Sequence, residues 1–122
     1  MVVDFLTKHK NVERVIYPNI HTGEIGNRAK KYFKGGNGGL VGIELKGGVE
    51  AGKKFIDALQ VCVRAISLGT VDTLVSHPAS MSHYGVSPEE RAKYGITDGL
   101  IRMSVGIENI EDLIADLTQA LG

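Results

Sequence analysis

Hydrophobic and polar positions along the chain mark out an alternation of helical and extended segments. Val2, Val3, Phe5 and Leu6 among polar residues read as the end of a helix, cut from something longer, that runs into a strand over Val12–Tyr17. Pro18 stops that strand because its ring offers no N–H to a ladder. Ile25, Ala29, Tyr32 and Phe33 predict a second helix over about Glu24 to Lys34, with Lys30, Lys31 and Lys34 suited to the carbonyl end of its dipole and Gly35-Gly36 ending it. Leu40 to Leu45 reads as a strand. Gly47-Gly48 then turns into a helix in which Gly52, Phe55, Ile56, Leu59 and Val63 recur at helical spacing, with Glu50 in its first turn.

Two short strands are expected at Ala65–Leu68 and Thr73–Val75, followed by a polar, irregular stretch from His77 to Gly99. One turn of helix interrupts it at Ser87–Lys93, where Ser87 caps, Pro88 takes the first helical position and Glu89-Glu90 follow. Leu100–Val105 alternates strictly, with Ile101, Met103 and Val105 on one face and Leu100, Arg102 and Ser104 on the other. A final helix, capped by Asn109, carries Ile110, Leu113, Ile114, Leu117 and Leu121 as one apolar stripe that suits the apolar face of that strand. The predicted architecture is a single α+β domain over residues 1–122, two-layered, with helices on one face of a mainly antiparallel sheet.

Composition narrows the function classes. Fourteen Lys+Arg balance fourteen Asp+Glu, so no general attraction draws the chain to nucleic acid or an anionic membrane. No apolar run is long enough to span a bilayer, and Asp4 stands where a signal peptide needs basic and then apolar residues. A cytoplasmic location is expected. The single cysteine, Cys62, lies between Val61 and Val63 and reads as a buried thiol. With 122 residues the chain is shorter than most multi-substrate enzymes need, and glycine is in excess at 16 residues, half of them between Gly35 and Gly52.

Three candidates for chemistry stand out. Asn37-Gly38-Gly39 could cradle a phosphate, but it follows a helix and leads into a strand, the reverse of a phosphate loop, so a helix end and tight turn explain it better. His77 and His83 are six residues apart, which matches no usual zinc spacing; His77 before Pro78 suits an extended loop, and no metal is expected. Arg102 lies mid-strand between apolar neighbours and needs an anionic partner if its face is covered. That partner is either a bound carboxylate or an internal Asp or Glu on a solvated sheet face.

Longer stretches carry a family resemblance. Ser67-Leu68-Gly69, His77-Pro78-Ala79-Ser80-Met81-Ser82-His83, Pro88-Glu89-Glu90-Arg91 and Gly99 through Glu108 resemble, in order, the C-terminal domain of the Cys/Met-metabolism (trans-sulfuration) family of pyridoxal-phosphate enzymes. That family spans methionine gamma-lyase, cystathionine gamma-synthase, the cystathionine lyases and O-acetylhomoserine sulfhydrylase. Asp112–Leu117, Val12–Val15 with Tyr17-Pro18, and Glu44–Gly48 extend the likeness over essentially the whole chain.

The resemblance implies the smaller domain of a fold-type-I enzyme, closing over a substrate held at a larger cofactor domain. By position, Arg102 would clamp the substrate α-carboxylate, and Ser67 with the backbone at Leu68 would lie beside it. Ser82 stands where the family has Thr and would support Arg102. The family's cofactor lysine sits in a Ser-x-Thr-Lys motif, and Thr7-Lys8, preceded by Phe5-Leu6, does not match it. Pyridoxal 5'-phosphate is therefore expected in the parent enzyme and none on this chain alone, which is expected to contain no catalytic residue.

The implied parent is a homo-oligomer, as a tetramer, acting on methionine, cystathionine, homocysteine or an O-acylhomoserine. The alternative is a stand-alone module that binds amino acids or associates with a relative.

Overall fold

The strictly alternating segment Leu100–Ser104 is the central strand of a five-stranded sheet, paired on both sides. The computed structural model describes residues 1–122 and runs α1 (Val2–Lys8), β1 (Val12–Ile16), α2 (Gly23–Tyr32), β2 (Leu40–Leu45), α3 (Gly48–Ala58), β3 (Val63–Arg64), β4 (Leu74–Ser76), α4 (Pro88–Lys93), β5 (Leu100–Ser104) and α5 (Ile110–Leu121). Short 3-10 turns occupy Pro18–Ile20 and Pro78–Ser80. The strand order is β1-β2-β5-β4-β3, antiparallel except for the β3–β4 pair. No helix is long and apolar enough to cross a membrane.

The register decides which face is which. Val41 lies opposite Met103, Ile43 opposite Ile101, and Val75 opposite Met103, so these side chains share one face. There they join Val2 and Leu6 of α1, Phe55 and Ile56 of α3, and Leu113 and Leu117 of α5 in one cluster of 17 buried residues. The other face carries Gly42, Arg102 and Ser76 in one cross-strand row and Leu40, Ser104 and Leu74 in the next. Helix α2 borders this second face across an open cleft of about 500 Å³.

Local signals account for the helix starts. Ser87 Oγ accepts the Glu90 N–H at 3.2 Å, and Asn109 Oδ1 accepts the Glu111 N–H at 2.7 Å; each satisfies a donor that the first helical turn leaves free.

Several boundaries depart from the sequence pattern. Helix α2 stops at Tyr32, two residues before the predicted Lys34, because Phe33 leaves helical geometry (φ −97°, ψ 65°). Gly36 and Gly38 then take the left-handed backbone that glycine tolerates, and Tyr17 donates its hydroxyl to the Gly38 carbonyl at 2.7 Å. Helix α3 ends at Ala58, so Val63 belongs to β3 and not to the α3 stripe. The cause is tertiary: the Asp116 carboxylate of α5 accepts the N–H groups of Gln60, Val61 and Cys62 at 2.8–3.0 Å, donors that a continued helix would direct to carbonyls four residues back.

The strand expected at Ala65–Leu68 is accordingly a loop. Pairing moves upstream, with Val63 N–H on the Thr73 carbonyl and Ala65 N–H on the Val75 carbonyl, and the strand expected at Thr73–Val75 forms at Leu74–Ser76.

Candidate functional site

Arg102 stands in the middle of the outer sheet face. The chain has five arginines, and four of them have a carboxylate within 4.0 Å: Arg14 with Glu44, Arg28 with Glu24, Arg64 with Asp57 and Arg91 with Asp98. Arg102 has none. Its Nη2 donates instead to two backbone carbonyls, those of Ile66 and, at 2.9 Å, Ser67. The internal Asp or Glu considered from the sequence is thus replaced by a pair of neutral acceptors, which orient the guanidinium and leave its charge uncompensated. Its Nε is buried with no partner. A half-buried cation with spare donors, fixed on a central strand, can hold a carboxylate or another anion.

The loop that braces Arg102 is itself built by β5 and the turn after it. Ser104, two residues along on the same face, accepts the Gly69 N–H on its Oγ at 2.9 Å. Ile107 N–H reaches the Val71 carbonyl, and Glu108 takes both the N–H and the hydroxyl of Thr73. Burial alone would raise the Glu108 pKa, but the hydrogen bonds from Thr73 and from its own backbone hold it below the ordinary carboxylate value. Gly106 cannot carry a side chain, since a Cβ there would meet the Val71 carbonyl oxygen at 2.1 Å.

The structure places the sequence-derived candidates as follows. Ser67 and Arg102 meet through the Ser67 carbonyl, and Leu68 follows, half-exposed. Ser82 is exposed, and its hydroxyl pairs with Nδ1 of His83 at 2.9 Å, with no hydrogen bond to Arg102. The hydrogen bonds that the guanidinium makes go to the carbonyls of the 66–67 loop. Sequence spacing does not single out Ser104, whose partner Gly69 is 35 residues away. Its place beside Arg102 on one strand face is the sequence feature that marks it.

His77 is fully buried and serves the scaffold. Ser80 Oγ lies 2.7 Å from its Nδ1 and the Asp98 carbonyl 2.8 Å from its Nε2, so Nε2 donates to that carbonyl and the hydroxyl pairs with Nδ1. No three His, Cys, Asp or Glu side chains are grouped to hold a metal ion. Cys62 is buried, and burial together with the Asp116 charge pushes its thiol up to about 12, which removes it as a nucleophile at neutral pH. The segment around Asn37-Gly38-Gly39 is a connection into β2, with Val105 N–H on the Gly39 carbonyl.

Known proteins are similar to this chain in sequence and, in one solved case, in fold. An L-methionine gamma-lyase from Fusobacterium nucleatum subsp. polymorphum is 52% identical over 120 residues, covering 98% of this chain and 30% of that protein. An O-acetyl-L-homoserine sulfhydrylase from Leptospira meyeri is 44% identical over 121 residues, covering 98% of this chain and 27% of its own. A crystal structure described as an O-acetylhomoserine (thiol)-lyase from Campylobacter jejuni, which contains N'-pyridoxyl-lysine-5'-monophosphate, superposes with a TM-score of 0.88 at 40% identity over 98% of this chain and 28% of that one. The chain thus spans about three tenths of the length of these relatives. The Cys/Met metabolism PLP-dependent enzyme family matches residues 1–122 from end to end, and the chain belongs to that family.

Proposed function

We propose that this chain is the substrate-closing C-terminal part of a PLP-dependent trans-sulfuration enzyme, a carbon–sulfur lyase or transferase, and that Arg102 binds the α-carboxylate of its amino-acid substrate. The observation that carries the reading is the lone unpaired arginine: every other guanidinium has its carboxylate, and the one on the central strand keeps donors free. A planar fork on a rigid strand fixes a carboxylate in direction as well as position. That restricts rotation of the substrate about its α carbon, so the bond to be broken can be held in a reactive orientation.

Ser67 and Leu68 form the exposed rim beside Arg102 and suit contact with the same substrate. The cofactor, when bound in the parent, withdraws electrons from the α carbon. A lysine that attaches such a cofactor has to shed its proton in a sheltered site, and all nine lysines here are exposed. The chain's own residues therefore do not suit covalent attachment of pyridoxal phosphate, and its share of the chemistry is confined to the substrate's carboxylate. The amino-acid substrate and assembly as a homo-oligomer, a tetramer by the family likeness, belong to this reading, as does a cytoplasmic location.

Joining this chain to the remaining portion of the Fusobacterium nucleatum lyase tests it. Arg102→Ala in that chimera should raise KM for methionine roughly 30- to 100-fold, equivalent to the loss of about 2–3 kcal/mol of charge-assisted hydrogen bonding. Unchanged kinetics in a folded Arg102→Ala chimera would remove the carboxylate reading.

A further inference from the structure

We propose that Ser104 is a positioning residue of the Arg102 site, an inference that rests on the carboxylate reading above. Residues 66–70 lie between two backbone tethers, Ala65 N–H to the Val75 carbonyl and Ile107 N–H to the Val71 carbonyl. Between them, only three hydrogen bonds tie the loop to the sheet: two from Arg102 Nη2 to the Ile66 and Ser67 carbonyls, and one from Gly69 N–H to Ser104 Oγ. Arg102 and Ser104 are neighbours at i and i+2 on β5, so their anchor points lie about 7 Å apart along one strand face.

The two side chains form a clasp with opposite polarity. Arg102 donates to the loop and Ser104 accepts from it. Gly69 makes the second contact possible because its φ of +80° turns its N–H back toward the sheet, in a conformation L-residues rarely adopt. Ser104 is buried, 4% exposed, whereas Ile66 and Leu68 on the loop are 54% and 50% exposed. The loop thus has little apolar burial of its own to hold it, and its position follows from the clasp.

Without Ser104, the carbonyls that brace the guanidinium would move with a loop held by Arg102 alone. A substrate carboxylate would then have to order the loop as it bound, at a cost in affinity. The hydroxyl acts through the loop and touches no reacting atom.

The test compares Ser104→Ala, Ser104→Thr and Ser104→Val in the 122-residue chain, Thr and Val being matched in size and differing in the hydroxyl. The readouts are hydrogen exchange of the Gly69 amide and of the Arg102 guanidinium, followed by nitrogen-15 NMR, with the urea midpoint as a folding control. Ser104→Ala and Ser104→Val should speed both exchanges by about tenfold or more, and Ser104→Thr should restore them to within about threefold of wild type. In the chimera, Ser104→Ala should raise KM for methionine about three- to tenfold and leave kcat within about twofold, the signature of lost uniform binding.

Unchanged Arg102 exchange in both Ala and Val variants would overturn the proposal, and so would faster exchange with no change in KM. The Arg102→Ala chimera decides the carboxylate reading separately, because exchange at Gly69 and Arg102 is read without any substrate.

Discussion

Gly52 shows how a single residue can be seen in the sequence for one reason and required by the structure for another. Its place in the apolar stripe of α3 was legible from spacing. Its necessity comes from a residue 25 positions on: a Cβ at Gly52 would lie 2.4 Å from Nε2 of His77, whose ring is fully buried and already committed to Ser80 and Asp98. Gly52→Ala should therefore destabilise the chain by about 2–3 kcal/mol, measurable as a lower urea midpoint, despite alanine's better helix propensity. A rise in stability would mean the imidazole can move aside. Arg102 was legible in the same partial way: alternation put it on the face opposite the core, but period alone could not tell a carboxylate partner from the two carbonyls it finds.

At the scale of elements, what could be read was what depends on neighbours in the chain. β5, α4 and α5 form where alternation, the Ser87 and Asn109 caps and the apolar stripe predict them. The end of α3 could not be read, because it is set by Asp116 on a helix more than fifty residues downstream. Asp116 is buried, 4% exposed, on the α5 face otherwise made of Leu113, Leu117 and Ala120. Burial alone would raise its pKa, but the three backbone N–H bonds from residues 60–62 and one from Gln119 hold it below the ordinary aspartate value. Asp116→Asn replaces one acceptor oxygen with a donor facing those N–H groups. It should cost about 2–3 kcal/mol and release residues 60–62, visible as faster amide exchange there. Loss of stability without faster exchange at these three amides would locate the cost elsewhere.

For the molecule as a whole, the α+β class and the antiparallel bias were legible, whereas the strand order depends on contacts between distant segments. The pH response is also a property of the whole, since two depressed carboxylates staple separate loops: Asp116 the end of α3, and Glu108 the loop before β4. A carboxyl whose pKa is lower folded than unfolded contributes its stability in full above the unfolded value and loses it as pH falls through the folded one. Stability should hold above the ordinary values of 4.5 for Glu108 and 3.8 for Asp116, then decline as pH drops below them. Urea unfolding from about pH 6 to about pH 2.5 checks this, and a flat profile below pH 4 would refute it. The central strand also limits which insertions and deletions the chain can tolerate. Side chains on a strand change sides with every residue. Removing one residue at the entry to β5 would present Ile101 and Met103 to solvent and send the guanidinium into the apolar core. The spacing from Gly99 to Ser104 must keep its count for the site to exist.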